Sequence, residues 1–311
     1  MKEIVILSGK GGTGKTSIVG SLASLIKNKV LVDCDVDASD LHLLLNPDVK
    51  EKNEFWSGQV AVIDKDKCTQ CGLCQELCRY HAIENYEVDA ISCEGCRFCS
   101  YTCPVEAITM KDNLSGHWFI SDTKYGPLVH ARLGSAQENS GKLVAMVRQQ
   151  ARKITQEQNA DYIICDGPPG IGCPVISSLS GASLALLVTE PTLSGIHDLE
   201  RVLGVCRYFG IPAMVCINKY DINLDNSHQI EEFCQKQGVI IVARVPFDNV
   251  VTEAIVHGMP VAEYSEESKV TTEIKSLWMN ILDFITQSQK NDGNICANSP
   301  VSGENNNARS D

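Results

Sequence analysis

Two stretches of this 311-residue chain place reactive side chains at spacings that packing alone does not require. Gly9-Lys10-Gly11-Gly12-Thr13-Gly14-Lys15-Thr16 satisfies G-x-x-x-x-G-K-[ST], a loop whose glycines let successive N–H groups and the start of the next helix face phosphate oxygens. Lys15 would supply a point charge to the β and γ phosphates, the Thr16 hydroxyl would ligate Mg²⁺, and Ser17 would extend the cradle. The second stretch holds eight of the chain's 15 cysteines in a window of 36 residues: Cys68, Cys71, Cys74, Cys78, then Cys93, Cys96, Cys99, Cys103. Each run reads C-x₂-C-x₂-C-x₃-C, and thiolates so grouped are metal ligands before they are anything else.

The surrounding text repeats as well: CTQCGLCQELCRYHAI at 68–83 is answered by CEGCRFCSYTCPVEAI at 93–108. The pattern resembles bacterial ferredoxins with two [4Fe-4S] clusters, in which the fourth cysteine of each run serves the other cluster. That resemblance implies one cluster on Cys68, Cys71, Cys74 and Cys103 and a second on Cys93, Cys96, Cys99 and Cys78. Tetrahedral zinc is the alternative for the same residues. Arg79 departs from the pattern, since proline follows the second run at Pro104 but not the first. Cys34, Cys165, Cys206, Cys216 and Cys234 fall in apolar strand or helix contexts and read as small buried residues.

These groups need elements to hold them. Lys2–Leu7 is a β-branched strand, Gly14–Ile26 has helical apolar spacing, Val30–Val32 is a second strand and Leu41–Leu45 a short helix. The rhythm breaks from about Phe55 to Lys111, where cysteine, glycine and short strands dominate, and resumes with an amphipathic helix at Lys142–Thr155. Ala160–Cys165, Leu184–Val188, Ala213–Ile217 and Val239–Val242 are near-continuous apolar runs separated by helical stretches, as expected of strands covered on both faces. The predicted fold is α/β: a mostly parallel, doubly wound P-loop sheet formed by residues 1–54 and 112–287. A small α+β ferredoxin-like insert would occupy 55–111, and the Asn-rich residues 288–311 would form a disordered tail.

Strand ends then supply acidic stations. Asp33 and Asp35 follow the second strand, and Asp166-Gly-Pro-Pro-Gly170 follows the strand ending at Cys165, where open α/β sheets bind ligands. Asn218-Lys-Tyr-Asp221 reads as a base-recognition loop. With its second lysine, Lys10, the phosphate loop resembles that of the MinD, ParA, Mrp and nitrogenase-iron-protein superfamily, in particular members carrying an inserted ferredoxin. The resemblance implies that Lys10 reaches the partner's phosphates in a nucleotide-sandwiched homodimer. Asp35 would orient the attacking water, and Asp166 would hold Mg²⁺ through water. Asn218 would touch adenine, favouring ATP over GTP, with Pro246 and Asp248 in a second base-contacting segment. Asp33, Asp37 and Asp40 read instead as turn and cap residues. Cys173, seven residues after Asp166, matches the spacing of a dimer-bridging cluster ligand in the nitrogenase iron protein. The activity so implied is ATP hydrolysis coupled to electron transfer or iron–sulfur handling for a redox or cluster-accepting protein partner. The alternative is a cluster carrier or scaffold with slow turnover.

Charge narrows the field. Twenty-seven basic against 39 acidic residues leave −12, which disfavours a nucleic-acid or anionic-membrane surface. Ser265–Ile285 is amphipathic, but its polar face mixes acids with lysines and suits a packed helix better than a membrane one. No segment reads as transmembrane or as a secretory leader, so a cytoplasmic protein is expected.

Overall fold

The computed structural model describes residues 1–134 and 139–296, and side chains through 287. The first half runs β1 (Lys2–Ser8), α1 (Lys15–Leu25), β2 (Lys29–Asp33) and α2 (Leu41–Leu45), then β3 (Asp48–Ile63), α3 (Leu73–Leu77), the hairpin β4 (Ile83–Glu84) and β5 (Glu87–Val88), and α4 (Phe98–Thr102). It continues through β6 (Ile108–Thr123), β7 (Gly126–Leu133), α5 (Ser140–Gln158), β8 (Tyr162–Pro169), α6 (Cys173–Leu179), β9 (Leu184–Thr189) and α7 (Leu193–Tyr208). The last part is β10 (Ala213–Asn218), α8 (Leu224–Gln237), β11 (Ile240–Val245), α9 (Asn249–Val256), α10 (Val261–Tyr264) and α11 (Lys269–Cys296).

Nine strands form one sheet in the order β11-β10-β9-β1-β8-β2-β7-β6-β3. Neighbours from β11 to β7 are parallel, whereas β6 and β3 close that edge antiparallel. β1 lies mid-sheet, and its alternation sends Val5 and Leu7 into one apolar layer and Ile4 and Ile6 into the other. The first layer is completed by α5, α6, α7 and α8 residues such as Val147, Leu179, Leu203 and Ile230, the second by Ile18, Leu22, Ile274 and Leu277 of α1 and α11. This double cover explains why the central strands read as unbroken apolar runs.

Three features go beyond the elements that the sequence suggests. β7 was not recognised, because GPLVHARL is interrupted by His130 and Arg132, although Leu128, Val129 and Ala131 are buried. The insert's roots are not short strands: β3 and β6 are 16 residues each and pair from Asp48↔Asp122 to Ile63↔Ile108, continuing past residues 55 and 111 with register shifts between Val49 and Glu51 and between Phe55 and Gln59. β3 is an edge strand whose first half is rich in Lys and Glu, with an apolar run only at Val60–Ile63; the charged half also discourages pairing with another sheet. Finally, α11 extends through Cys296, into the segment expected to be a disordered tail; residues 297–311 lie outside the described residues.

At the far end of the β3–β6 arm the sequence repeat becomes a repeat of backbone shape. Gln70 and Gly95 have φ of 56° and 61°, Gly72 and Arg97 81° and 65°, His81 and Glu106 51° and 49°. Each half makes a one-turn helix, α3 or α4, and the two share a small core of Ala61, Cys74, Ile83 and Ile108.

Candidate functional site

The C-terminal ends of the parallel strands gather the groups that the sequence scattered. β1 delivers the loop Gly9–Gly14, β2 Asp33, β8 Asp166, β9 Glu190 and β10 Asn218. Gly12 and Gly14 have φ of 79° and 85°, conformations that cost an L side chain energy, and a Cβ on Gly14 would stand 2.3 Å from Asn218 Nδ2. Gly9 packs so closely on Asp198 of α7 that a Cβ there would lie 2.2 Å from the Asp198 Cβ. The loop is therefore shaped by what surrounds it.

Lys15, buried at the start of α1, forms an ion pair with buried Asp166. Burial works against the Lys15 charge, but Asp166 outweighs it and holds the ammonium above its ordinary range. Asp33 is fully buried; burial first, then the neighbouring Asp166 charge, push it up to about 8. Its carboxylate accepts hydrogen bonds from Asp35 N (3.0 Å), Ser39 Oγ (2.7 Å) and Leu41 N (3.3 Å), fixing the turn after β2. Asp40 stands at the N-cap of α2 but makes no side-chain cap bond, so the capping expected of it is supplied by Asp33. Burial raises Asp35 to about 6, opposed by Lys15. Thr13 Oγ1 is buried and without a partner among the described residues, a polar atom that an oxygen-rich ligand in the loop would satisfy.

Lys10 does not point away from its own chain. Its Nζ lies 2.8 Å from Glu190 Oε1 and donates to Ser194 Oγ (3.0 Å) and Thr192 Oγ1 (3.2 Å). Lys219 Nζ reaches the other Glu190 oxygen at 3.1 Å and Gly12 O at 3.0 Å. Burial would raise Glu190, but the two lysines prevail and hold its carboxyl below the usual range. No motif flags Glu190. It enters the site because β9 runs beside β1, a pairing no local signal announces.

Beside the loop lies a cleft of about 260 Å³ lined by Gly12, Gly14, Asn218, Pro246, Phe247 and Asp248, among others. Asn218 Nδ2 donates to Thr13 O (2.7 Å), strapping the loop to β10. Asp248 caps α9 through Val250 N (3.0 Å), and Asp221 accepts from Phe247 N (2.7 Å), so its carboxylate shapes the cleft wall. The predicted nucleotide residues are thus brought together. Cys173 is exposed at the first position of α6, just beyond the Asp166–Gly172 loop.

The insert sorts its cysteines. Cys78, Cys93, Cys96 and Cys99 line one cavity of about 410 Å³, whereas Cys68, Cys71, Cys74 and Cys103 line a narrower one of about 20 Å³. Backbone N–H groups of Ala82 and Ala107 donate to Cys78 and Cys103 Sγ at 3.4 and 3.3 Å, equivalent bonds in the two halves. Burial raises the Cys74 and Cys99 thiols above their ordinary range. Among the described residues no three His, Cys, Asp or Glu side chains converge closely enough for a single metal ion. Cys34, Cys165, Cys206, Cys216 and Cys234 are all buried in the sheet and its covering helices. Also among the described residues, no helix is long and apolar enough to cross a membrane.

Comparison with known proteins gives this geometry a family. The chain is 34% identical to an uncharacterised protein of Methanocaldococcus jannaschii, covering 91% of this chain and 97% of that one. It is 23% identical to a cytosolic Fe-S cluster assembly factor, nubp2, of Xenopus laevis, over 90% of this chain and 92% of the relative. Among solved structures, the cell division ATPase MinD of Pyrococcus furiosus superposes with a TM-score of 0.56 at 21% identity, covering 91% of this chain and 99% of that one. Residues 4–261 match the CobQ/CobB/MinD/ParA nucleotide binding domain, and the chain belongs to that family as an ATP-binding protein of the MinD/ParA type.

Proposed function

We propose that this protein is a homodimeric ATPase whose nucleotide switch controls electron transfer or cluster handling through two [4Fe-4S] clusters for a protein partner. The observation that carries the reading is the partition of eight thiols between two cavities, four in each, with Cys78 and Cys103 exchanged between the runs. Sequence order alone would group 68–78 and 93–103. Thiols spread around a cavity suit a multi-iron group, in which each cysteine binds a different iron, better than a zinc ion, which draws its ligands to one point. The narrower cavity would have to open at its Cys68–Gly72 loop, held by the Tyr86 hydroxyl bonded to Gln70 O at 2.9 Å. When bound, such clusters supply single-electron chemistry at low potential.

The nucleotide side follows from the chain's own groups. Lys15 would exchange Asp166 for phosphate oxygens, freeing that carboxylate to orient Mg²⁺ ligands beside Thr16. Lys10 would leave Glu190 to reach across the dimer, and Asp35, ionised, would orient water. The segment after Asp35 is tied to the arm: Leu133 N donates to Val36 O (3.0 Å), Gly134 N to Ser115 O (2.8 Å), and Ser115 Oγ to Ser57 O (2.6 Å). Ser57 and Ser115 lie in β3 and β6, the strands that carry the cysteine loops. A displacement of the Asp35 loop is thereby passed along a hydrogen-bonded ribbon.

The test is anaerobic reconstitution followed by iron analysis and turnover. The reading expects about eight irons per chain. Lys15→Ala should lose Mg-ATP binding, and Lys10→Ala should bind but fail to dimerise or hydrolyse. Normal turnover in both variants, or zinc in place of iron, overturns it. Two observations favour the carrier alternative: Cys173 is exposed beyond the Asp166–Gly172 loop, and the Xenopus relative is named as an Fe-S cluster assembly factor. Iron above eight that disappears in Cys173→Ala would select that alternative.

A further inference from the structure

The internal repeat provides its own control for what surrounds each cavity. The Cys93–Cys99 cavity is rimmed by Leu77, Arg79, Tyr80, Glu94, Arg97 and Phe98. Shifted by one repeat, the counterparts of the last five are Pro104, Val105, Thr69, Gly72 and Leu73, and all of these line the other cavity. One rim therefore carries two arginines and one glutamate, the other no charge. Tyr80 and Phe98 are 45% and 51% exposed, large rings presented to solvent.

Both arginines stand where the other half of the repeat carries an uncharged residue. Arg97 has φ of 65°, the left-handed conformation that its counterpart Gly72 adopts at 81° without penalty. Its guanidinium is fixed by Gln59 Oε1 of β3, so its direction is set rather than free. Arg79 replaces the proline found after the second run. A glycine would serve the backbone better at position 97, and the cationic side chains are what the two exchanges gain.

Resting on the two-cluster reading above, we propose that this rim is the docking surface for an acidic electron-carrier protein. Electrons would enter or leave through the Cys78/Cys93/Cys96/Cys99 cluster. The occupant follows from charge. With −12 on the whole chain, an acidic protein is repelled in general and finds attraction where Arg79 and a fixed Arg97 stand beside exposed rings, the combination that aromatic and arginine anchors supply at interfaces. The four cysteines would hold a cluster able to take one electron from a reduced flavin carried by such a protein, a transfer that makes and breaks no bond.

The experiment uses the reconstituted, full-length protein and flavodoxin as the acidic probe, with cytochrome c as a basic one. Binding of oxidised flavodoxin is measured by titration calorimetry at about 50 mM and about 500 mM salt, which strongly alters charge attraction. Arg79→Pro with Arg97→Gly copies the other half of the repeat, so the fold already tolerates both residues at equivalent places. Flavodoxin binding should weaken at least tenfold at low salt and the salt dependence should largely vanish, while iron content and reduction by methyl viologen stay unchanged. Arg79→Lys with Arg97→Lys keeps the charge and should bind within about threefold of wild type. Unaltered flavodoxin binding in the Pro/Gly variant, or cytochrome c binding more tightly than flavodoxin to wild type, overturns the proposal. Wild-type protein lacking about eight irons would instead bring down the cluster reading itself, before any carrier is added.

Discussion

Replacing Gly14 by Ala tests whether Asn218 and the phosphate loop hold one another in place. Two costs follow from the geometry. An alanine at φ of 85° bears about 1–2 kcal/mol for the left-handed conformation. Its Cβ would also stand 2.3 Å from Asn218 Nδ2, so that side chain must leave Thr13 O, its partner at 2.7 Å, with a net loss of about 0.5–1.5 kcal/mol. The sum, about 1.5–3.5 kcal/mol, corresponds to a melting temperature lower by about 3–14 °C at the usual 2–4 °C per kcal/mol. Gly12→Ala, at φ of 79° with nothing within 4 Å of its Cβ, should show only the backbone cost. Gly11→Ala has neither penalty in the nucleotide-free protein and should fall within about 0.5 kcal/mol of wild type. The assay is thermal melting of nucleotide-free protein, extended to a double-mutant cycle. In an Asn218→Ala background, Gly14→Ala should cost no more than Gly12→Ala. If the Gly14 cost is the same with and without the Asn218 side chain, the strap is not where we place it.

Cys103→Ser should lose about four irons together with the spectroscopic signal that Cys71→Ser removes, and Cys78→Ser should group with Cys96→Ser; grouping by sequence run instead refutes the exchange of fourth ligands. Glu3 is 3% exposed and pairs with Arg148 (2.6 Å) and Arg152 (2.7 Å), so Glu3→Gln strands a buried guanidinium and should cost about 3–5 kcal/mol in urea unfolding. A loss under about 1 kcal/mol would mean that water reaches Arg148. Because burial raises Asp35 to about 6, the folded chain keeps that proton longer than the unfolded one does, and ionising it between about pH 4 and 6 removes stability. Nucleotide-free Asp35→Asn should therefore be more stable than wild type at pH 7 and converge with it near pH 4. A difference that stays constant with pH refutes the assignment.

The parts of this protein that were legible from residues alone are those in which chemistry is written within a few positions. A phosphate loop needs its glycines and Lys15 in one turn, and a cysteine run needs its four thiols within eleven residues; both lie close along the chain, so spacing suffices to read them. Central strands were legible for a related reason, since burial on both faces demands an apolar residue at nearly every position. β7 escaped because His130 and Arg132 interrupt its apolar residues, and the long arm because β3, an edge strand, carries Lys and Glu where a core strand would not.

What only the tertiary structure decided are relations between distant segments. Glu190 joins Lys10 and Lys219 because β9 pairs with β1, and Asn218 straps a loop more than 200 residues earlier because β10 ends beside it. Asp33 proved to be the turn-fixing carboxylate, a role that sequence had distributed equally among three aspartates. The likeness of the two cysteine runs was visible as text. The exchanges that put Arg79 and Arg97 opposite Pro104 and Gly72 were visible as text too, but only the way the halves fold against each other brings both arginines to one cavity. Local spacing is set by covalent geometry and can be counted; the company a side chain keeps is set by strand order, which depends on the packing of the whole chain.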